Sequence, residues 1–359
     1  MGQAGISDNV RSFCSDYGLD LPVLMAPMAG ASPVGLSVAV ANAGAMGGCG
    51  ALLMSPDGIA DWAAGFRKQS NGAFQMNLWV PDPDPLRDPA HEAALAGFLA
   101  GWGPGPDLPG DGSFVQDFDA QFEAVLAAGV PVFSTIMGLL SQQQAAALKS
   151  RGIRWFATVT TLAEARAAEA AGADALIVQG AEAGGHRGAF DAEGAEARAI
   201  GGLALIPAVA DATTVPLIAA GGIADGRAMA AALVLGASAV MIGTALLRTP
   251  EAGLVPGWAD TLDRLPPENT VLTRAFSGRA GRAVASPYVI AAQTGPAPAP
   301  YPVQRALTQP MRDAAAAEGN TEAMQMWAGQ AAGRARAVSA DQVVRDIWAG
   351  AREVLPDLA

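Results

Sequence analysis

The sequence predicts a (β/α)8 barrel, an α/β fold in which helices surround eight parallel strands. Three observations predict it: eight short apolar runs recur along the 359 residues, alanine-rich helical stretches fall between them, and the connections between these units are mostly short. The runs are apolar throughout instead of alternating with polar residues, which is typical of parallel strands buried on both faces. Barrels of this class reach such a length as one unit with insertions.

The eight predicted strands are each four to seven residues long and end at a polar or glycine turn. They are Val23–Met28, Ala45–Gly48, Phe74–Trp79, Val130–Ile136, Trp155–Thr160, Ala175–Gln179, Leu217–Ala220 and Ala239–Thr244. Helices are predicted between them, with Thr161 and Asp225 as N-caps. Gly152, Gly172 and Gly236 stand where C-terminal caps belong.

Two stretches interrupt this regular order and predict added structure on the substrate side. Residues 81–112 form an excursion after the third strand, with a helix expected at Ala90–Ala100, and residues 251–334 form a proline-rich, mostly helical insertion. Residues 1–250 would then hold the barrel, and residues 335–359 a C-terminal helix that packs back on it. Loops after barrel strands form the catalytic face. Both stretches are therefore expected to line one side of the substrate site.

Composition excludes several classes of function. A net charge of −12 without a basic run argues against a nucleic-acid surface. Two cysteines, Cys14 and Cys49, make neither a disulfide framework nor a metal-ligand cluster. No secretory signal is recognised at the start of the sequence, and no apolar run is long enough to span a bilayer. We expect a soluble, cytoplasmic monomer or homodimer that binds a small molecule and no metal.

Glycines after the last two strands predict a phosphate site. Gly221 and Gly222 follow the seventh strand, and Gly243 with Thr244 ends the eighth. Without a side chain, backbone N–H groups approach a phosphate closely, and barrels commonly hold phosphate at these two positions. Tight turns alone are the competing interpretation, but two such turns at the two expected positions favour phosphate.

Three polar side chains stand at or after strand ends. Asn77 and Gln179 carry amides, which suit the edge of a heteroaromatic ring such as a flavin, or equally cap loop backbone. His186 lies in the glycine-rich stretch VQGAEAGGHRGAF, and its flanking glycines would leave the imidazole open to a planar ligand. Histidine is best suited to accept a proton near neutral pH, so His186 is the candidate acid–base group. The other histidine, His91, is expected to be a solvated helix start.

These residues also resemble a known family. VQGAEAGGHRGAF resembles the signature loop of nitronate monooxygenases, formerly called 2-nitropropane dioxygenases. Further segments resemble the family in the same order, from about Leu21 to the C-terminus; they are VLMAPMAGASP, GAFQMNLW, AAGGIADGRAMAAALVLGASAVMIGT, TRAFSGRAGR, YPVQRALT and WAGQAA.

The resemblance implies an enzyme that uses flavin mononucleotide (FMN) and O₂ to oxidise nitronates to carbonyl compounds and nitrite. It implies His186 as catalytic base or nitronate-orienting group. The flavin contacts it implies are Ala26, Pro27, Met28, Asn77, Gln179, Gly184, Gly221, Gly222, Met241, Ile242, Gly243 and Thr244. Tyr301 and Arg305, at i and i+4 if a helix begins there, are expected either to bind the acidic end of a substrate such as propionate 3-nitronate or to be a packing tyrosine and a solvated arginine.

The sequence departs from the family pattern at the fourth strand, and two alternative functions stay open. The fourth strand reads FSTIMGLL where many family members carry an aromatic–glycine motif, so the family's contacts from that strand are not transferred. An FMN- and NAD(P)H-dependent enoyl-acyl-carrier-protein reductase has a similar histidine loop and is the nearest alternative. A flavin-binding protein without turnover is the other. An IMP-dehydrogenase-like enzyme would need a nucleophilic cysteine late in the barrel, and Cys14 and Cys49 lie too early.

Overall fold

The strands form one large parallel sheet and one small antiparallel sheet. The computed structural model describes residues 3–106 and 115–358. Its strands are β1 (Val23–Met25), β2 (Gly47–Gly50), β3 (Phe74–Trp79), β4 (Val132–Ile136), β5 (Arg154–Val159), β6 (Ala175–Gln179), β7 (Gly185–His186), β8 (Leu217–Ala220), β9 (Ala239–Ile242), β10 (Thr270–Thr273) and β11 (Gly281–Val284).

The large sheet closes into a barrel. Its parallel order is β1-β9-β8-β6-β5-β4-β3-β2, and a parallel bridge between Leu24 and Met46 joins the two ends. The predicted (β/α)8 barrel is therefore confirmed. Three predicted strands end earlier than expected, β1 at Met25, β5 at Val159 and β9 at Ile242, because the following residues leave the ladder.

The helices alternate with the barrel strands and are capped as the sequence predicts. They are α1 (Gln3–Tyr17), α2 (Val34–Asn42), α3 (Pro56–Arg67), α4 (Pro89–Leu99), α5 (Phe118–Ala128), α6 (Gln142–Ser150), α7 (Leu162–Ala170), α8 (Gly202–Ala210), α9 (Gly226–Val234), α10 (Pro256–Thr261), α11 (Pro287–Ala292), α12 (Val303–Glu318) and α13 (Ala340–Val354). The side chains of Thr161 and Asp225 accept backbone N–H groups at their helix starts. Gly152, Gly172 and Gly236 follow helices with positive φ, as C-terminal caps do.

Two apolar layers hold the barrel together. The inner layer fills the barrel with side chains such as Leu24, Phe156 and Met241, and the outer layer packs strands against helices. Helix α1 covers one end of the barrel, where Phe13 and Tyr17 pack on Phe156. Helix α13 packs mainly against α9 and also contacts α2.

The excursion and the insertion pack into one second core. Leu95 and Leu99 of α4 join Leu307 and Met311 of α12 in an apolar cluster separate from the barrel layers. From the sequence we predict two separate interruptions, because no local sequence pattern indicates that these two stretches contact each other. Residues 107–112 of the predicted excursion lie outside the described residues, and the boundaries at 250 and 334 stay predictions.

The small sheet ties the insertion to the barrel mouth. Its order is β10-β11-β7, so the insertion's hairpin pairs with the short strand that carries His186. The register places Gly281 opposite His186 and Arg282 opposite Gly185. None of the helices in the described ranges is long and apolar enough to span a membrane.

Candidate active site

A cavity of about 260 Å³ lies at the carboxyl ends of the barrel strands. Thirteen of the fifteen site residues expected from the sequence line it: Ala26, Pro27, Met28, Asn77, Gln179, Gly184, His186, Gly221, Gly222, Met241, Gly243, Thr244 and Arg305. They come from five barrel strands and from the insertion, which places the substrate side where the chain order predicts it. In the described ranges, no group of three or more His, Cys, Asp or Glu residues is placed to hold a metal.

Two expected residues do not line this cavity. Ile242 is 1% exposed and packs in the outer apolar layer, because side chains alternate along β9 and Met241 takes the inward position. The Ile242 side chain therefore does not reach the cavity, and the flavin contact expected at this residue stays a prediction. Tyr301 precedes α12, which begins at Val303, so it does not share a helical face with Arg305.

Tyr301 instead packs against Trp79, which lines the main cavity. It helps to line a neighbouring cavity, and its ring centroid is 5.3 Å from that of Trp79. Its hydroxyl is buried without a hydrogen-bond partner among the described residues. Burial raises the pKa of Tyr301 to about 12, so the phenol is neutral near pH 7.

The glycines of the histidine loop are required by close packing. A Cβ on Gly184 would lie 2.4 Å from the backbone nitrogen of Gly329, and one on Gly188 would lie 2.8 Å from Cγ1 of Ile136. Gly185 has a φ of +74°, a backbone conformation that side chains disfavour. These contacts draw the loop down onto the barrel and against the insertion.

The imidazole of His186 lines the cavity and packs between two aromatic rings. Its ring centroid is 4.6 Å from that of Trp79 and 4.7 Å from that of Trp327. Its Nε2 is 2.7 Å from Oγ of Ser277. His91 is not simply solvated, because its Nε2 is 2.7 Å from the carbonyl oxygen of Ala297.

His186 is neutral in this environment. Burial, and then the positive charges of Arg279, Arg305 and Arg312, lower its pKa from 6.5 to about 3. A neutral imidazole can accept a proton, whereas a protonated one would only add charge. The site therefore disfavours the charge-stabilising role, which needs the protonated imidazole.

Acidification is expected to destabilise the fold through this histidine. Between pH 6.5 and about 3 the unfolded chain binds a proton at this position that the folded protein does not. The contribution of His186 to this fall in the free energy of unfolding should approach about 1.4 kcal/mol per pH unit within that interval. That share of the slope should vanish in His186→Asn. Equal slopes for the two proteins, measured by denaturant unfolding, would contradict a buried neutral His186.

The two amides serve different partners. Gln179 caps the histidine loop: its Nε2 donates to the carbonyl oxygen of His186 at 3.0 Å, and its Oε1 accepts from the N–H of Gly188 at 2.8 Å. Asn77 donates from Nδ2 to the carbonyl oxygen and Oγ of Ser134. No described residue donates to Oδ1 of Asn77, which leaves one acceptor at the cavity wall.

The glycine turns form a cradle of backbone donors. Among the described residues, none accepts a hydrogen bond from the N–H groups of Gly222, Gly243 or Thr244. Gly329 donates to Oγ1 of Thr244 at 3.1 Å and so joins the insertion to this end of the cavity. Such unpaired N–H groups are suited to a phosphate.

The charges of the cavity have one sign. No Asp or Glu is among the described residues that line it, although the protein carries a net charge of −12. Its two arginines are Arg305 and Arg312. Arg312 donates to Thr308, Gln325 and the Arg305 carbonyl, and burial followed by repulsion from Arg305 lowers its pKa to about 10. The cavity therefore favours anionic ligands.

Comparison with known proteins identifies the family. The sequence model described as nitronate monooxygenase matches residues 12–350. The chain belongs to the nitronate monooxygenase family. Curated members include the nitronate monooxygenase of Paraburkholderia phytofirmans, 37% identical over 94% of each chain. That of Pseudomonas aeruginosa is 36% identical over 92% of this chain and 96% of its own.

Solved structures agree with this family. A nitroalkane oxidase from Streptomyces ansochromogenes superimposes with a TM-score of 0.88 at 37% identity and covers 94% of this chain and 98% of its own. FabK from Thermotoga maritima superimposes with a TM-score of 0.75 at 26% identity over 97% of each chain. The family consists of flavin-dependent oxidoreductases, and this chain is an enzyme that acts on small molecules.

The residues at the cavity that sequence reasoning missed include Trp79, Ser277, Arg312 and Trp327. Trp79 ends β3 two residues after Asn77, so the rule that strand ends carry the chemistry could have found it. Ser277 and Trp327 lie in segments that carried the family resemblance without a role. Nothing local distinguishes Arg312 from other helical arginines.

Proposed function

We propose that the protein oxidises nitronates with O₂ to a carbonyl compound and nitrite, with FMN as its cofactor. One observation carries the proposal: a cavity without carboxylates combines a backbone phosphate cradle, a neutral histidine and two arginines. The phosphate of the cofactor and the nitronate are both anions, so the same cavity suits both. Family membership supports the reaction class.

The residues present fit FMN. The N–H groups of Gly222, Gly243 and Thr244 would hold its single terminal phosphate, and Oδ1 of Asn77 would accept from the ring edge. Ala26, Pro27 and Met28 would lie beside the ring, and Gly184 would contribute to the same cavity wall as His186. When bound, the flavin supplies the redox chemistry between the nitronate and O₂.

This chain's side chains would bind the nitronate and manage its proton. Arg305 and Arg312 offset the substrate's negative charge, and His186 accepts a proton from the α-carbon when the substrate arrives as the neutral nitroalkane. Trp79 and Trp327 shield His186 from water. Two nitronates share one O₂: one oxygen atom ends on the carbon of each, both carbon–nitrogen bonds break, and two carbonyl compounds and two nitrite ions result. No external reductant is needed.

The test begins with the visible spectrum of the purified protein. We expect flavin absorbance, and FMN in the supernatant after denaturation, because the contacts described are non-covalent. Oxygen uptake and nitrite release should then follow addition of propionate 3-nitronate without a nicotinamide. A colourless protein would contradict the cofactor. NAD(P)H consumption with an enoyl thioester, and none with nitronates, would establish the reductase instead.

Replacing Arg305 with alanine is expected to affect acidic nitronates selectively. Arg305 lines the cavity, and no described side chain forms an ion pair with it. KM for propionate 3-nitronate should rise by about tenfold, the equivalent of 1.4 kcal/mol, whereas KM for an uncharged alkyl nitronate should not change. The control is Arg334→Ala, which removes an exposed arginine paired with Asp225. An equal effect on both substrates would remove the assignment.

A further inference from the structure

The histidine loop is held from below by a buried polar network. Its centre is Arg187, 4% exposed, whose side chain points away from the cavity that its neighbour His186 lines. Nη1 of Arg187 donates to the carbonyl oxygen of Gln179 at 2.7 Å, and Nη2 donates to that of Thr160 at 3.2 Å. Arg187 thus connects the loop with the ends of β5 and β6.

Glu164 holds the far end of the same loop. Its Oε1 accepts the N–H of Phe190 at 2.9 Å, and its Oε2 accepts the N–H and hydroxyl of Thr160 at 2.6 and 2.8 Å. Gln179 adds the bonds to His186 and Gly188 described above. We call Arg187, Glu164 and Gln179 the loop brace.

The charge of Arg187 requires an explanation, because burying a cation without a direct carboxylate partner is unfavourable. Burial lowers its pKa, and the negative charges of Glu164 and Glu182 oppose that shift. Its Nε has no hydrogen-bond partner among the described residues. A residue with only a packing role would not need a guanidinium here.

We propose that Arg187 and Glu164 are positioning residues that fix His186 relative to the bound substrate. Close packing requires Gly184 and Gly188, and the positive φ of Gly185 favours glycine there. The three glycines leave the free backbone mobile. The loop brace supplies the rigidity that these glycines remove. The role rests on the proposed function, in which His186 is the catalytic residue.

The test compares Arg187→Met and Glu164→Gln with Arg248→Met. Arg248 binds Asp263 and the carbonyl oxygen of Ala335 away from the cavity, so its variant controls for loss of a partly buried arginine. The two brace variants should lower kcat about ten- to a hundredfold with little change in KM, because a shift of about 1 Å at a reacting group costs on the order of 10²-fold. Arg187→Lys, which keeps the charge and one donor direction, should recover part of the loss.

Two further measurements separate positioning from general stability. In a His186→Asn background, Arg187→Met should lower kcat by less than about threefold, because two residues that act through one group are not additive. Hydrogen–deuterium exchange of peptides covering residues 180–190 should rise in the brace variants and not in Arg248→Met. The exchange does not depend on turnover, so it tests the loop brace even if nitronate oxidation itself fails.

Several outcomes would overturn the proposal. They are wild-type kcat in folded, flavin-loaded Arg187→Met protein, additive effects in the double variant, and unchanged exchange across the loop. Loss of flavin with unchanged loop exchange would assign Arg187 to cofactor support and equally overturn it. If Arg187→Met does not fold, Arg187→Lys and Glu164→Gln decide by the same three measurements.

Discussion

Replacing His186 with asparagine is expected to lower kcat/KM by about 10²–10⁴-fold, the usual contribution of a general acid–base group. Asparagine keeps a polar side chain of similar reach toward Ser277 but cannot accept the proton. The fold and the bound flavin should be retained, because the loop is anchored by β7–β11 pairing and by Gln179, neither of which uses the imidazole. Steady-state kinetics on flavin-loaded protein would measure the effect.

The matched control is His91→Asn. His91 lies on α4 and contacts the Ala297 carbonyl, outside the residues that line the cavity. Its replacement should leave kcat/KM almost unchanged. Turnover at the wild-type rate in flavin-loaded His186→Asn protein would make His186 a structural residue and leave the loop as flavin support alone.

A bulky residue at Gly222 or Gly243 is expected to release the flavin. Gly222 has a φ of +72°, and its Cβ would lie 3.2 Å from Cβ of Glu182. A Cβ on Gly243 would lie 3.1 Å from Cβ of Ala26, so leucine would push the turn and displace its N–H groups. Flavin affinity should fall by at least about tenfold, which is 1.4 kcal/mol. Absorbance of the purified variants would measure the loss.

Controls for this prediction are available among other glycines. Gly129 has a φ of +59° with open space around its Cβ position, so Gly129→Leu carries a similar backbone cost away from the cavity. Gly97→Leu, with nothing within 4 Å, controls for the bulk added at Gly243. Both should stay yellow. Fully flavin-loaded Gly222→Leu and Gly243→Leu proteins would refute the phosphate assignment.

Much of the site could be predicted because a barrel places the ends of its strands at one mouth. Asn77, Gln179 and the glycine turns were found by reading strand ends in order, and all of them line the cavity. The two exceptions have local causes. Ile242 takes the outward position of an alternating strand, and the turn at Tyr301 precedes α12. A one-residue shift in the alternation along a strand moves a side chain to the opposite face of the sheet. Sequence patterns do not show which alternation applies at the end of a strand.

The sequence by itself determined the barrel, the order of its strands and the place of His186 after the sixth, because these follow from local periodicity and turn residues. Only the tertiary structure decided what surrounds that histidine. Trp79, Ser277 and Trp327 reach it from distant parts of the chain, and β11 of the insertion pairs with its own strand. Such contacts depend on how whole helices and strands pack against one another, and a short segment of sequence does not indicate that packing. The neutral state of His186 has the same origin, because burial and three distant arginines produce it together.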